Sequence, residues 1–214
     1  GIPKKNLKKI HGKSLVYRAV EVAKALEQIT DVAVSSDDPE IIDEGIRAGA
    51  VAPFIRPPQL SGDLVSDYDV LAHALVSMEQ FTGVSYDIIL MLQPTSPLRN
   101  GSDIVGALNM LVSNNLDSVW SVSPTELKAH PLKQLIIENN QLKYYEPRGA
   151  EIIARQQLSQ TYHRNGAVYA CTRGCLIAQK TIKGENAGAY VIDDRVMISI
   201  DTPHDLTQVE TLFD

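Results

Sequence analysis

A short loop held between two prolines carries polar side chains that could bind a ligand. The prolines fix the backbone φ angle and remove two amide donors, so the loop is stiff and presents its side chains in one arrangement. The apolar run 88–92 precedes it and predicts a central strand, and ligands bind at the carboxyl ends of such strands. An ordinary proline-rich connection would have the same composition. The polar side chains belong to Gln93, Thr95, Ser96 and Arg99.

Basic residues gather near the start of the chain and after another apolar run. Lys5 and Asn6 lie in an irregular segment with three further lysines. Such a segment is most often a solvated surface, although an ammonium group in it could contact a phosphate. Arg56 follows the apolar run 50–55 in a second proline-rich loop, where it is either solvated or a ligand contact.

A carboxylate follows the last apolar run. Asp201 ends the run 196–200, which predicts a strand. Thr202 as N-cap, Pro203 at the first helical position and Asp205 in the first turn predict a helix that needs no further capping group. The carboxylate of Asp201 is therefore available to hold a hard cation in a cleft, or to accept hydrogen bonds from backbone amides.

The alternation of strand-like and helical patterns predicts the scaffold for these groups. It is typical of a doubly wound α/β fold with a mostly parallel sheet, and we expect a single domain, 1–214. The strand-like runs are 32–36, 50–55, 88–92, 117–122, 164–170 and 196–200. The helical patterns begin near residues 14, 39, 66, 102 and 203.

An inserted excursion, 124–160, interrupts this alternation. Two short alternating runs, 134–138 and 141–145, flank Asn139 and Asn140, which predicts an antiparallel β-hairpin. A two-stranded hairpin is marginal alone, so we expect it to pack on something else.

The composition excludes several classes of protein. With 214 residues, of which 44% are hydrophobic and 21% charged, the chain can bury a full core. A net charge of −6 argues against a nucleic-acid partner. No run resembles a transmembrane span or a signal peptide, so we expect no membrane contact. Cys171 and Cys175 are typical of packing residues in a reducing cytoplasm.

Seven short motifs occur in the order found in bacterial CMP-sialic acid synthetases. Each motif is weak alone, but together they extend over nearly all 214 residues. The sequence thus resembles an acylneuraminate cytidylyltransferase, which implies a nucleotide-diphospho-sugar transferase-like variant of the Rossmann fold. The motifs are Lys5-Asn6, Arg56-Pro57, the stretch from Leu92 to Arg99, His130-Pro131-Leu132-Lys133, Arg155-Gln156-Gln157-Leu158, Arg164-Asn165-Gly166-Ala167 and Ile200-Asp201-Thr202.

The resemblance implies a nucleotidyl transfer. The anomeric hydroxyl of a nine-carbon 2-keto sugar acid, such as sialic or legionaminic acid, would attack the α-phosphate of CTP, and pyrophosphate would leave with Mg²⁺ or Mn²⁺. Lys5 and Asp201 are implied as catalytic residues, with Asp201 as the metal ligand. The residues implied for CTP are Lys5, Asn6, Arg56 and Asp67. Those implied for the sugar acid are Gln93, Thr95, Ser96, Lys133, Arg155 and Asn165.

The resemblance also implies a homodimer. In similar enzymes the excursion reaches the neighbouring subunit and closes its sugar pocket. Lys133 and Arg155 would then contact the sugar carboxylate of the partner's site, Arg155 through a bidentate fork.

Three departures from the family pattern stand out. The family opens with a strand and an Arg/Gly/Ser/Lys phosphate loop, whereas Gly1 falls at the tail of that loop, so we expect either a processed N-terminus or preceding residues. Ser199 stands where a second metal-binding carboxylate is implied. Asp67 stands where similar enzymes often carry a small hydroxyl residue.

Two other functions stay open. One is a cytidylyltransferase for the eight-carbon acid Kdo, or another sugar nucleotidyltransferase of the same fold. The other is a non-catalytic nucleotide-binding or assembly module, which Ser199 and the position of Gly1 motivate. An Arg-x-Gly-Ser-Lys segment encoded upstream would favour an enzyme.

Overall fold

A four-stranded sheet with helices on both faces organises this computed structural model, which describes residues 2–213. The strands are β1 (Lys9–Ile10), β2 (Lys13–Ser14), β3 (Ile88–Met91), β4 (Ser118–Pro124), β5 (Leu135–Glu138), β6 (Gln141–Tyr144), β7 (Tyr162–Thr172) and β8 (Ala187–Val191). The helices are α1 (Leu15–Lys24), α2 (Pro39–Arg47), α3 (Asp67–Thr82), α4 (Gly101–Ser113), α5 (Arg173–Ile177) and α6 (Pro203–Phe213). Short 3₁₀ helices cover Lys5–Leu7, Pro58–Leu60, Leu127–Ala129, Pro131–Lys133, Pro147–Glu151 and Arg155–Gln157.

The sheet is mixed, with the strand order β3-β7-β4-β8. β7 runs antiparallel to both of its neighbours, and only β4 and β8 pair in parallel. The expectation of a mostly parallel sheet is therefore wrong. The physical reason is that the chain leaves the sheet at the carboxyl end of β4 and re-enters beside that same strand end. There the amide of Thr125 donates to the carbonyl of Thr161 (2.8 Å). The next strand must then run in the opposite direction.

Helices cover both faces of the sheet, which confirms the α/β class. Successive residues of β7 point to opposite faces, as the strand period requires. Val168 and Ala170 pack against α4, whereas Cys171 packs against α3 and α5. Cys171 and Cys175 are free and buried, as expected for packing residues, and burial raises the pKa of the Cys171 thiol to about 12.

Two of the predicted strands are reduced to an isolated bridge. The runs 32–36 and 50–55 meet in parallel at Ala33 and Val51, where the amide of Val34 donates to Val51 (3.0 Å). The predicted strand 196–200 is not a strand either. Val196 at its start is exposed, and β8, which the sequence analysis missed, lies at the edge of the sheet instead.

The predicted helix starts are confirmed by their caps. The hydroxyl of Ser66 accepts from the amide of Asp69 (3.1 Å) at the start of α3. At the start of α6, the carboxylate of Asp205 accepts from the amides of Asp201 (3.0 Å) and Thr202 (2.7 Å). These backbone bonds lower the pKa of Asp205, and they hold Asp201 just outside the first turn of the helix.

The predicted hairpin is present between β4 and β7. Asn139 and Asn140 both have positive φ angles (51° and 61°), as a tight two-residue turn requires. Leu135 lies opposite Tyr144, and Ile137 lies opposite Leu142, so one face of the hairpin is apolar. This face is solvent-exposed in the single chain, with Ile137 at 73% and Leu142 at 66%.

A salt bridge joins α3 to the start of α5. The guanidinium of Arg173 donates to both carboxylate oxygens of Glu79 (2.9 and 3.1 Å), which together with the amide of Tyr86 lowers the pKa of Glu79 to about 2. The bridge therefore stabilises the fold fully above pH 4.5, and its contribution is lost as the pH falls toward 2.

We expect Glu79→Gln to lower the free energy of unfolding at pH 7 by about 1–2 kcal/mol. This value is below that implied by the full pKa shift, because Arg173 is 42% exposed and solvent screens the pair. Urea unfolding at pH 7 and pH 2.5 measures the effect, which should shrink at the lower pH. Glu138→Gln, at an exposed pair with Lys143, is the matched control and should change little. An equal loss at both pH values would contradict the prediction.

The structure also bears on membrane association. Among residues 2–213, no helix has the length and apolar character needed to cross a membrane.

Candidate active site

Two side chains from opposite ends of the chain form the centre of the site. The ammonium of Lys5 donates to the carboxylate of Asp201 at 2.7 Å, although the residues are 196 positions apart. Both had been predicted as catalytic residues. Their segments meet because Ile10 and Leu15 pack against Ile200 in one buried cluster. The carboxylate of Asp201 remains accessible, with 68% of the side chain exposed.

The proline-rich loop lies directly beside this pair. The amide of Ile200 donates to the carbonyl of Thr95 (2.8 Å), and the hydroxyl of Ser199 donates to that of Thr95 (3.4 Å). Thr95 therefore lies next to the segment that ends in Asp201. The hydroxyl of Ser199 is part of this contact, in the position where the resemblance implied a carboxylate.

Arg99 fixes the loop to β7. Its guanidinium is buried and donates to the backbone carbonyls of Gln93, Gly166 and Ala167. Burial lowers the pKa of Arg99 to about 10, so the side chain stays charged at neutral pH. A buried cation with carbonyl partners serves here to hold the loop, which the sequence pattern had left undecided.

Gly166 brings β7 into close contact with the loop. Its φ angle is +72°, and a Cβ atom at this position would lie 2.5 Å from both the Gln93 Oε1 and Ser96 Oγ atoms. Only glycine allows this approach and this backbone conformation. The side chain of Gln93 thus lies close to the backbone of β7. A glycine inside a strand pattern was the sequence signal for this contact.

The buried side chains of Ser96, in the loop, and Asn165, in β7, join the loop to the interior of the protein. The hydroxyl of Ser96 is buried and donates to the carbonyl of Asn165 (2.9 Å). The buried amide of Asn165 accepts from Ser121 (2.6 Å) and donates to Ser123 (3.0 Å). These side chains support the loop from inside the protein, and their predicted contacts with a sugar acid stay predictions.

Apart from Lys5, the residues predicted for CTP lie near the start of α2 and at the start of α3. Arg56 bonds to the carboxylate of Asp37 at 3.3 Å, just before α2, and Lys4 forms an ion pair with Glu40 in the first turn. Asn6 is half-buried in the 3₁₀ helix Lys5–Leu7. Asp67 is the exposed first residue of α3.

Lys133 and Arg155 are brought together in a second place. Both line a groove of about 320 Å³ within the excursion, away from Lys5 and Asp201. The structure therefore divides the predicted residues between the Lys5–Asp201 pair with its adjoining loop and a groove in the excursion. The other lining residues are Leu132, Leu135, Tyr144, Gly149, Ile152, Ile153, Ala154 and Leu158.

Asp201 is the carboxylate of this site that no backbone amide engages, because the neighbouring Asp205 carboxylate accepts from the amides of Asp201 and Thr202. Among residues 2–213, no group of three or more Asp, Glu, His or Cys side chains could hold one. Mg²⁺ is commonly held by one or two carboxylates together with substrate phosphates and water. Asp201 alone therefore suits a metal that is bound chiefly by the phosphates of a nucleotide.

The sequence is similar to sugar-activating cytidylyltransferases. A family profile described as cytidylyltransferase matches residues 1–210. A pseudaminic acid cytidylyltransferase of Campylobacter jejuni is 29% identical, and the match covers 99% of this chain and 90% of that protein. A CMP-N,N'-diacetyllegionaminic acid synthase of Legionella pneumophila is also 29% identical, with 90% of it and 100% of this chain covered. An N-acylneuraminate cytidylyltransferase of Streptococcus agalactiae is 26% identical, but only 49% of its length is covered, by 98% of this chain.

The fold is similar to that of a solved structure, CMP:2-keto-3-deoxy-manno-octonic acid synthetase complexed with CTP. The TM-score is 0.72 at 19% sequence identity, and the match covers 99% of this chain and 92% of that chain. This likeness confirms the predicted nucleotide-diphospho-sugar transferase-like architecture.

Proposed function

This chain belongs to the cytidylyltransferase family, and we propose that it joins CTP to a nonulosonic acid to give the CMP-sugar and pyrophosphate. The relatives whose names state such an activity support the nine-carbon class of sugar acid. The observation that carries the proposal is the Lys5–Asp201 pair beside the proline-rich loop, since a cation and an accessible carboxylate meet there.

The geometry suits transfer at a phosphorus atom, where catalysis is mostly positioning and charge stabilisation. The ammonium of Lys5 neutralises the triphosphate, and Asn6 and Arg56 hold the cytidine portion, with Asp67 at the edge of that site. Gln93, close to Gly166, orients the sugar acid so that its anomeric hydroxyl faces the α-phosphate. Asp201 would hold Mg²⁺ or Mn²⁺, which would supply positive charge to balance the phosphate oxygens.

The excursion completes the site of a second subunit in this proposal. Its exposed apolar face is unpartnered within the single chain, and a homodimer would cover it. Lys133 and Arg155 then approach the sugar carboxylate in the partner's cleft. The residues proposed for the interface core are Leu132, Leu135, Ile136, Ile137, Leu142 and Tyr144. Two buried free cysteines agree with a cytoplasmic location.

Turnover assays on the full-length protein test the proposed function. CTP and Mg²⁺ are combined in turn with sialic, legionaminic, pseudaminic and Kdo acids, and released pyrophosphate is measured. We expect turnover with at least one nine-carbon acid and little with Kdo. A preference for Kdo would favour the eight-carbon alternative. CTP binding without turnover on any acid would favour a non-catalytic module.

Substitutions in the two halves of the cleft should separate the two substrates. We expect Arg56→Ala to weaken the binding of CTP, and Gln93→Ala to weaken the binding of the sugar acid. Each affinity should fall by about ten- to a hundredfold, because each substitution removes a hydrogen bond to one ligand only. Binding of each ligand is measured by calorimetry, and CTP affinity serves as the internal control for Gln93→Ala. Equal effects on both substrates would show that the pair is misplaced.

A further inference from the structure

His130 connects the two cationic segments of the excursion. It is buried, with only 4% of its surface exposed, and it precedes the 3₁₀ helix Pro131–Lys133. Its Nδ1 atom accepts a hydrogen bond from the amide of Leu132 (3.1 Å), which caps that helix. Because Nδ1 is an acceptor, the proton of the neutral ring lies on Nε2.

The second ring nitrogen reaches the other end of the excursion. Nε2 lies 3.1 Å from the carbonyl of Ser159 and donates to it. Ser159 follows the 3₁₀ helix Arg155–Gln157 by two residues. One imidazole therefore holds the backbone on the Lys133 side and the backbone on the Arg155 side at a fixed separation.

The segments around this ring are short. The 3₁₀ helices that carry Lys133 and Arg155 have three residues each, and both cationic side chains are exposed. Such segments have little stability of their own. The groove between them keeps its shape only if their backbones are held, and His130 is the buried side chain that contacts both.

We propose that His130 is a positioning residue, which sets the distance between Lys133 and Arg155 and so tunes recognition of the sugar carboxylate. The inference rests on the proposed function, because it assigns a ligand to the groove. It adds a residue to which neither the fold nor the resemblance gave a role.

Two conservative variants each keep one of the two hydrogen bonds of the imidazole ring. In His130→Asn, the side-chain oxygen can still cap Leu132, as Asn does at helix starts, but no donor reaches Ser159. In His130→Gln, the amide nitrogen can still donate to Ser159, whereas the cap is lost. We expect His130→Ala to raise the KM for the sugar acid by about tenfold, with each half-mimic recovering part of the loss and with the KM for CTP and kcat nearly unchanged.

A matched control separates positioning from general loosening. Gln160 also joins the two ends of the excursion, through a bond to the carbonyl of Thr125 (3.3 Å), but it does so at an exposed position. We expect Gln160→Ala to lower the melting temperature slightly and to leave the KM for the sugar acid unchanged. A similar rise in KM for Gln160→Ala and His130→Ala would overturn the proposal.

A double-mutant cycle with Arg155→Ala completes the test. If His130 acts through Arg155, then His130→Asn should raise the KM for the sugar acid in the wild-type background but have little further effect when Arg155 is absent. Additive effects would overturn the proposal, as would wild-type KM values for both the Asn and Gln variants. If Arg155→Ala and Lys133→Ala leave the KM unchanged, the proposed role of the groove fails, and this inference fails with it. If they raise the KM but the His130 variants do not, only the inference fails.

Discussion

Asp201→Asn is expected to lower kcat by about a hundredfold or more while the fold remains intact. The exposed carboxylate of Asp201 is the proposed metal ligand, and the neutral amide that replaces it would bind a divalent cation weakly. The backbone bonds that start α6 use the carboxylate of Asp205, so they do not depend on the side chain of Asp201. Turnover across a range of Mg²⁺ concentrations, with circular dichroism for the fold, measures the effect.

Two further variants define this result. Asp194→Asn removes another exposed carboxylate, which pairs with Arg195, and should leave turnover unchanged. Ser199→Asp adds a carboxylate two residues before Asp201 and should make turnover depend more strongly on the Mg²⁺ concentration. Wild-type turnover of Asp201→Asn at limiting Mg²⁺ would rule out Asp201 as the metal ligand.

Mixing Asp201→Asn with Arg155→Ala is expected to raise activity at a sugar-acid concentration far below the KM of Arg155→Ala, where each variant alone turns over little, because the proposed site is shared between subunits. Asp201→Asn damages the cleft, and Arg155→Ala damages the groove that serves the partner's cleft. In a heterodimer one of the two sites keeps both intact residues. Random exchange makes half of the dimers mixed, so about a quarter of the wild-type activity should return. Differently tagged subunits allow the heterodimer to be isolated and assayed.

The control for subunit exchange uses two defects in the same cleft. Under the same assay conditions, a mixture of Asp201→Asn and Gln93→Ala should gain no activity over the separate variants, since neither site of its heterodimer is intact. If isolated heterodimers of Asp201→Asn and Arg155→Ala show no gain in activity, then Arg155 serves its own subunit or lies outside the site.

Local features of the fold could be predicted from the sequence. Ser66 and Asp205 cap the predicted helices, and the Asn139-Asn140 turn closes the predicted hairpin, because each feature depends on a few neighbouring residues. The direction of β7 could not be predicted in this way. It depends on the end of β4 to which the long excursion returns, and hydrophobic periodicity carries no information on where the excursion returns.

The candidate site shows the same division. The pairing of Lys5 with Asp201 joins the two ends of the chain, and only the resemblance suggested that they belong together. The role of Arg99 could not be predicted, because arginine is rarely buried and its partners here are backbone carbonyls. In the sequence His130 stands out only as part of a motif, because its two contacts, with Leu132 and Ser159, depend on the three-dimensional fold.

The buried bonds under the proline-rich loop have a consequence for ligand selection. Arg99, Asn165 and Gly166 fix the loop during folding, so the conformational entropy of ordering it is already lost before a substrate arrives. This rigid floor presents the same surface to every sugar acid. We therefore expect discrimination between acids that differ in their ring substituents to depend on the exposed excursion, whose side chains other than Lys133 and Arg155 can change without disturbing the proposed contact with the carboxylate.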